Sequence, residues 1–301
     1  MNKKKLATRL KKDYSGMLFI LPVILGLIIF TFYPMITSFI NSFYKISITG
    51  VKNYVGLENY KLIFGERFKE VSESLALTIG YTLIFIPVNM ILSFSLALLL
   101  NKEIPAVGVF RVLCYAPVVI PTVVNGLLWQ TVTASDTGYI NLILKALNLK
   151  PLGFFERAET AFPTFICVSL FGIGSGMIIW LSQLKNIPKS MYEAAEIEGA
   201  KPFICLTRIT IPLCSPTIFF NLVLNVIGTL QIFDLAFIFK NPLNQKSLNF
   251  FVVYIYNQAF ETLGQMGYAS ALSWVLFAII AILSLIVFRT NKWVYYGEDT
   301  D

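Results

Sequence analysis

Six long apolar runs alternate with polar segments along this chain. They extend from about Gly16 to Tyr44, Leu75 to Leu100, Val112 to Val132, Phe162 to Leu184, Leu213 to Phe239 and Met266 to Phe288. Each reaches or exceeds the ~20 residues that a helix needs to cross the hydrocarbon of a bilayer. The pattern predicts an all-α membrane protein with six transmembrane helices. The first run is too long for the apolar core of a signal peptide and shows no clear cleavage site, so it reads as a retained span. Pro22 and Pro34 lie within it, and Pro117 and Pro121 within the third run. Membrane helices tolerate such prolines when neighbours satisfy the freed carbonyls. Between the third and fourth runs, Asp136–Leu149 has the pattern of a small amphipathic helix lying at the surface. Arg289 and Lys292 stop the sixth run, and Trp293, Tyr295 and Tyr296 fit the headgroup level.

Composition agrees with the pattern. Of the 301 residues, 56% are hydrophobic and 14% charged, and the mean hydropathy is +0.70. A soluble domain would carry roughly 25% charged residues. The net charge of +7 does not point to nucleic acid, because the basic residues flank the apolar runs instead of forming a patch. Lys3, Lys4, Lys5, Arg9, Lys11 and Lys12 crowd the segment before the first run. This bias favours a cytoplasmic N-terminus. Residues 1–15 are then a basic cytoplasmic tail, 16–289 one six-helix domain and 290–301 a cytoplasmic C-tail. Cys114, Cys167, Cys205 and Cys214 fall in or beside apolar runs and read as free thiols.

Several chemistries are excluded. The chain has no histidine, so a Ser-His-Asp triad or a His-based zinc site cannot form. No Gly-Lys pair occurs, so there is no Walker A loop. If ATP is used, another chain binds it. The carboxylates lie mostly in loops and show no paired catalytic arrangement.

The second to fifth runs hold polar groups that hydrocarbon should exclude. Asn89 lies in the second; Asn125 and Gln130 flank Trp129 in the third; Ser169, Gly172, Gly174, Ser175, Gly176 and Trp180 follow in the fourth. The fifth carries Asn221, Asn225, Thr229, Gln231 and Asp234. Asn225, Gly228, Thr229 and Ile232 share one helical stripe at i, i+3, i+4 and i+7. An uncharged polar stripe beside aromatic rings fits a neutral polyol, because amides satisfy hydroxyls and rings stack on sugar faces. The candidate pathway is therefore Ser169, Gly172, Ser175, Asn225, Gly228, Thr229 and Ile232. The same residues also read as packing glue between helices, and Gly172-xxx-Gly176 is a packing signature. Asp234 stands six residues from Lys240 and reads as a gate or anchor near the outer rim, not as a substrate contact.

The polar loop of residues 187–212 joins the fourth and fifth runs. Pro188 stops the preceding helix. Ser190 reads as an N-cap and, with Glu193, as a capping box. Gly199 and Pro202 end the short helix that follows, and Met191, Ala194, Ala195 and Glu198 share one of its faces.

Glu193-Ala194-Ala195, Gly199, Ile209 and Ile211-Pro212 stand at the spacing of the EAA motif. In this respect the chain resembles the membrane subunits of binding-protein-dependent ABC importers. Ile211 stands where that motif usually has leucine. Further similar stretches are Leu21-Pro22, Tyr33-Pro34, Val55–Tyr60, Phe110–Val124, Gly138–Leu144, Gln231–Phe239, Tyr254–Phe260 and Gly267–Ser273. The likeness is to sugar permeases of the maltose and glycerol-3-phosphate type. One departure is Lys240-Asn241-Pro242, where the family often has Gly-Gly-Pro.

The resemblance implies the type I importer fold in a bacterial cytoplasmic membrane and a heterodimer with a second, related permease. It also implies two ATP-binding subunits, which would bind the ATP and Mg, and an extracytoplasmic solute-binding protein. This chain itself would hold no cofactor and no metal. Glu193, Ala194, Ala195, Gly199 and Ala200 would form the coupling helix that docks on an ATPase subunit. The substrate would be a sugar or oligosaccharide, with glycerol-3-phosphate or another small polar solute as the alternative. A secondary transporter working alone would need a coupling carboxylate in the membrane, and only Asp234 is available.

Overall fold

The computed structural model of the chain describes residues 18–47, 49–102 and 105–295. The basic N-tail and residues 296–301 of the C-tail lie outside the described residues. The chain divides into two compact units. One takes residues up to Phe68 and Ile255–Val275; the other takes Lys69–Tyr254 and the segment from Leu276.

In the first unit, α1 spans Leu18–Asn41 and widens to a π-type turn over Ile28–Phe32. No part of its most apolar stretch is buried within the chain, as expected of a helix facing lipid or another subunit. A short antiparallel hairpin follows, β1 (Tyr44–Ile46) with β2 (Lys52–Tyr54), registered Tyr44 to Tyr54. Helix α2 is Glu58–Phe64. Buried Asn59 donates its amide to the Ser42 and Tyr44 carbonyls at 2.8 and 3.1 Å, and the Tyr60 hydroxyl donates to Ser42 Oγ at 2.8 Å. The Val55–Tyr60 stretch thus ties the end of α1 to the hairpin. A Cβ at Gly267 would collide with the Tyr44 carbonyl, so only glycine lets the chain approach there.

In the second unit, α3 (Phe68–Leu100) is long and stays continuous through Pro87. The third span is not the single helix the apolar run predicts. It is two helices, α4 (Val107–Val119) and α5 (Thr122–Thr133), bent by 98°. Pro121 lacks an amide hydrogen and forces Ile120 into extended backbone, with φ −71° and ψ 125°. Helix α6 (Tyr139–Ala146) is the amphipathic surface element. The fourth span is also broken. Helix α7 (Ala158–Ser169) continues as a tighter turn to Gly172, then α8 (Gly174–Asn186) leaves at 44°. Helix α9 is Lys189–Ile197 and α10 is Pro202–Leu213. The fifth span is α11 (Ser215–Leu230), interrupted at Gln231–Phe233 and resumed as α12 (Asp234–Phe239). Helices α13 (Phe251–Tyr256) and α14 (Met266–Arg289) complete the chain, and both run across the boundary between the units. Among the described residues, four helices are long and apolar enough to cross a membrane, and six spans result if each bent pair counts as one.

Two apolar cores hold the second unit together. One gathers Tyr81, Phe85, Phe165, Phe239 and Phe250 with their neighbours. The other packs Ala97, Leu100, Met177, Trp180, Leu184 and Cys214. Helix α3 supplies both, with Asn89 in the stretch between them.

Candidate functional site: a neutral cleft and an exposed short helix

The stretch of α3 between the two cores borders an open cleft of about 390 Å³. Tyr81, Phe85 and Asn89 of α3 form one wall. Ser169, Gly172, Ser175, Gly176 and Ile179 line it at the break between α7 and α8, and Asn221, Leu224, Asn225, Gly228, Thr229 and Ile232 line it from α11 and its end. The structure therefore brings together all seven residues of the candidate pathway. None of the lining residues carries a charge. Tyr81 and Phe85 stack with ring centroids 5.1 Å apart.

The polar side chains of α11 form a ladder along their own helix. Asn221 Nδ2 donates to the Thr217 carbonyl at 3.0 Å, Asn225 Nδ2 to the Asn221 carbonyl at 2.8 Å and Thr229 Oγ1 to the Asn225 carbonyl at 2.7 Å. Ser169 Oγ donates to the Phe165 carbonyl at 2.8 Å, and Ser175 Oγ to the Gly172 carbonyl at 3.3 Å. These bonds let the groups sit in a membrane span without an orphaned donor.

The glycines near the break differ in role. A Cβ at Gly174 would run into the Cys114 carbonyl of α4, and one at Gly176 would come within 3.2 Å of Ser93. One at Gly172 would meet nothing within 4 Å. The close packing expected of Gly172 and Gly176 therefore belongs to Gly174, where the backbone of α4 crosses, and to Gly176, which abuts Ser93 of α3. Trp180 locks the contact, its indole N–H donating to Ser93 Oγ at 3.1 Å.

Asp234 lies outside the cleft. It is exposed and opens α12 after the break, where a carboxylate meets the positive end of the peptide dipoles. The neighbouring turn, Lys240-Asn241-Pro242, has a defined geometry. Fully buried Asn244 donates to the Phe155 and Phe239 carbonyls at 2.7 and 2.9 Å and accepts from the Asn241 amide at 2.8 Å. Asn241 Nδ2 adds a second bond to Phe155, at 2.9 Å. Asn241 and Asn244 thus clasp the turn that the sequence marks as a departure from Gly-Gly-Pro.

Helix α9 carries the residues of the polar loop. The capping box does not form. The helix begins at Lys189, two residues earlier than a Ser190 cap implies, with Pro188 at the cap position and no side-chain cap bond. Ser190 is already inside the first turn, where its hydroxyl cannot cap the helix it belongs to. The C-terminal end is as the glycine suggests. Gly199 has φ +76°. Its amide bonds the Glu196 carbonyl and the Ala200 amide bonds the Ala195 carbonyl, both at 2.9 Å, which is a Schellman cap. Glu193, Ala194 and Gly199 are exposed, Ala195 and Ala200 half-buried. The exposed side adds Met191, Ile197 and, beyond the turn, Phe203, with Ile197 at 88% exposure. The inner side, with Tyr192, Glu196 and Ala200, lines a second cavity of about 770 Å³ together with Lys102, Cys205 and Thr210. The Tyr192 and Thr210 hydroxyls are 2.9 Å apart and hydrogen-bonded.

Residues 100–295 match the family of binding-protein-dependent transport system inner membrane components. This chain belongs to that family. The permease is 33% identical to the probable ABC transporter permease protein YesP of Bacillus subtilis, over 97% of this chain and 96% of that protein. It is 26% identical to the trehalose/maltose transport system permease protein MalF of Thermococcus litoralis, over 92% of this chain and 94% of that one. Its fold matches a chain in the crystal structure of a bacterial alginate ABC transporter in complex with an alginate pentasaccharide-bound periplasmic protein, with a TM-score of 0.85, 22% identity and coverage of 96% and 97%. The permease fold and its multi-pass membrane character are thereby established.

Sequence reasoning left seven lining residues out of the pathway, among them the apolar Ile179 and Leu224, which nothing distinguishes within their runs. Tyr81 and Phe85 are aromatic residues in an apolar run and carry no signal there. Asn89 was visible as a polar intruder, but nothing in its spacing joined it to the other spans; Asn221 stands four residues before Asn225, and that i, i+4 spacing is the signal that could have found it. Gly176 was visible only as a packing glycine.

Proposed function

We propose that this permease forms one membrane half of an ATP-driven importer for a sugar or oligosaccharide, and that the neutral cleft is its share of the substrate path. The observation that carries the reading is the lining itself: amides, hydroxyls and a stacked aromatic pair, with no charge, gathered from three spans. Sugar rings present hydroxyls at their edges and C–H faces to aromatic rings, so such a wall matches them. The carbohydrate names of relatives support the same class. The partners are a second, related permease, two ATP-binding subunits that hold the ATP and Mg, and an extracytoplasmic solute-binding protein. The chain sits in the bacterial cytoplasmic membrane with both termini inside, and the ATPase contact is α9, with Glu193, Ala194, Ala195, Gly199 and Ala200. Asp234 anchors the outer rim.

The test begins with the tagged permease purified in mild detergent. Recovery of a different permease and two copies of an ATPase is the expected result. Reconstitution with the solute-binding protein should then give sugar uptake that stops without ATP. A lone chain, or uptake that persists without the ATPase subunits, would defeat the reading.

A further inference from the structure

We infer that this chain's wall of the cleft favours neutral, hydroxyl-rich sugars and rejects their carboxylated counterparts. The inference rests on the reading of the cleft as the substrate path and deepens it. Ser169, Ser175 and Thr229 each donate their only hydroxyl hydrogen to a carbonyl of the same span. What these side chains keep is lone pairs. Asn221 and Asn225 each commit one amide hydrogen in the same way. Among the described residues, neither Oδ1 accepts a hydrogen bond. The free lone pairs on this wall therefore outnumber its free donors. The free donors are the second amide hydrogens of Asn221 and Asn225 and both of Asn89, which is not bonded among the described residues; the Tyr81 hydroxyl is engaged with Ser169.

A sugar hydroxyl can donate to such acceptors. A carboxylate only accepts. It would meet lone pairs, find few N–H or O–H groups and have no cationic side chain to pair with, because no lysine or arginine lines the cleft. Asn89 is the residue whose exchange would change this most directly. It stands on the wall of α3, half-buried, with its whole amide uncommitted.

The experiment uses the assembled transporter in lipid nanodiscs without its solute-binding protein, so that only the membrane site selects. Ligand-observed NMR would compare neutral di- and trisaccharides with the same sugars after their primary hydroxyls are oxidised to carboxylates. The expected result is at least tenfold weaker binding of the oxidised sugars. Asn89→Lys, recovered with the same subunits, should narrow or reverse that preference. Equal binding of both sugar forms by the wild type would overturn the inference while leaving a sugar site in place. An Asn89→Lys transporter with unchanged preference would overturn it too. Failure of every sugar, neutral or oxidised, would instead remove the carbohydrate reading and this inference with it. The wild-type comparison decides even if Asn89→Lys does not assemble.

Discussion

Gly199 separates two reasons for a glycine at the end of α9, the proposed ATPase contact. Its φ is +76°, and a Cβ placed there meets nothing within 4 Å. Space is therefore not what requires glycine; the backbone is. An L-residue with a side chain pays about 1–2 kcal/mol to hold the left-handed conformation. That corresponds to roughly a 5–30-fold loss in the population that keeps the Schellman cap. Asparagine visits this region more readily than other residues with side chains. The expected order of function is thus Gly, then Asn, then Ala, then Val. A purely steric demand by a docking partner would put Ala ahead of Asn, because Ala is smaller, so the two explanations predict crossed orders. The assay is co-purification of the ATP-binding subunits and ATP-driven uptake for Gly199→Asn, Gly199→Ala and Gly199→Val, each at matched membrane levels. A harmless Gly199→Ala beside an inactive Gly199→Asn would refute the conformational argument.

Four further outcomes are expected. Asn141→Ala should lower the unfolding midpoint in detergent, by about 2–3 kcal/mol of stability: Asn141 is fully buried, donates to the Ala134, Ser135 and Leu152 carbonyls and accepts from the Leu152 amide. Gly174→Val should lose folded protein, seen as aggregation on size exclusion, whereas Gly172→Ala should fold and show any effect only in uptake. Asn225→Ala should impair uptake while the subunits still co-purify; unchanged uptake would return Asn225 to a packing role. Tyr192→Phe removes the bond to Thr210, at a cost of about 0.5–1.5 kcal/mol, and should lower uptake per ATP hydrolysed more than it lowers ATPase binding.

The spans were legible because hydropathy over ~20 residues is a strong signal; their breaks were not. Pro87 and Pro163 lie inside continuous helices, and Pro117 lies inside α4, so a proline in an apolar run does not by itself announce a break. Pro121 does break its span, because Ile120 is held extended and the α5 segment then packs on α12. A Cβ on Gly126 would come within 2.9 Å of Ile238, and Gln130 Nε2 bonds the Ile238 carbonyl at 2.7 Å. Those contacts are with residues more than a hundred positions away, beyond the reach of local pattern. The amide stripe of α11 was legible for the opposite reason. Hydrocarbon penalises every polar group, so the five polar positions of the fifth run stand out without any neighbour. Two motif asparagines, Asn59 and Asn141, carry no chemistry in the structure. They clasp loops, and their buried carbonyl partners explain why an amide is needed there.

The same architecture connects the cleft with the exposed helix through short, bonded steps. Helix α8 begins in the cleft wall at Ser175 and Gly176 and ends at Asn186, three residues before α9. Its other contacts are firm: Trp180 is buried against α3, and Gln183 Nε2 donates to the Leu213 carbonyl at the end of α10 at 3.0 Å. Helix α9 is tied to α10 by Tyr192 and Thr210, and α10 leads through Cys214 into α11, which forms the opposite cleft wall. Both walls are thus reached from α9 by helices instead of by loose chain. The second core, with Met177, Trp180, Leu184 and Cys214, fills the space between them. Close-packed side chains transmit a displacement because they cannot absorb it. The breaks at Gly172–Gly174 and Gln231–Phe233 are where these two paths reach the cleft, through Gly172 and Ile232.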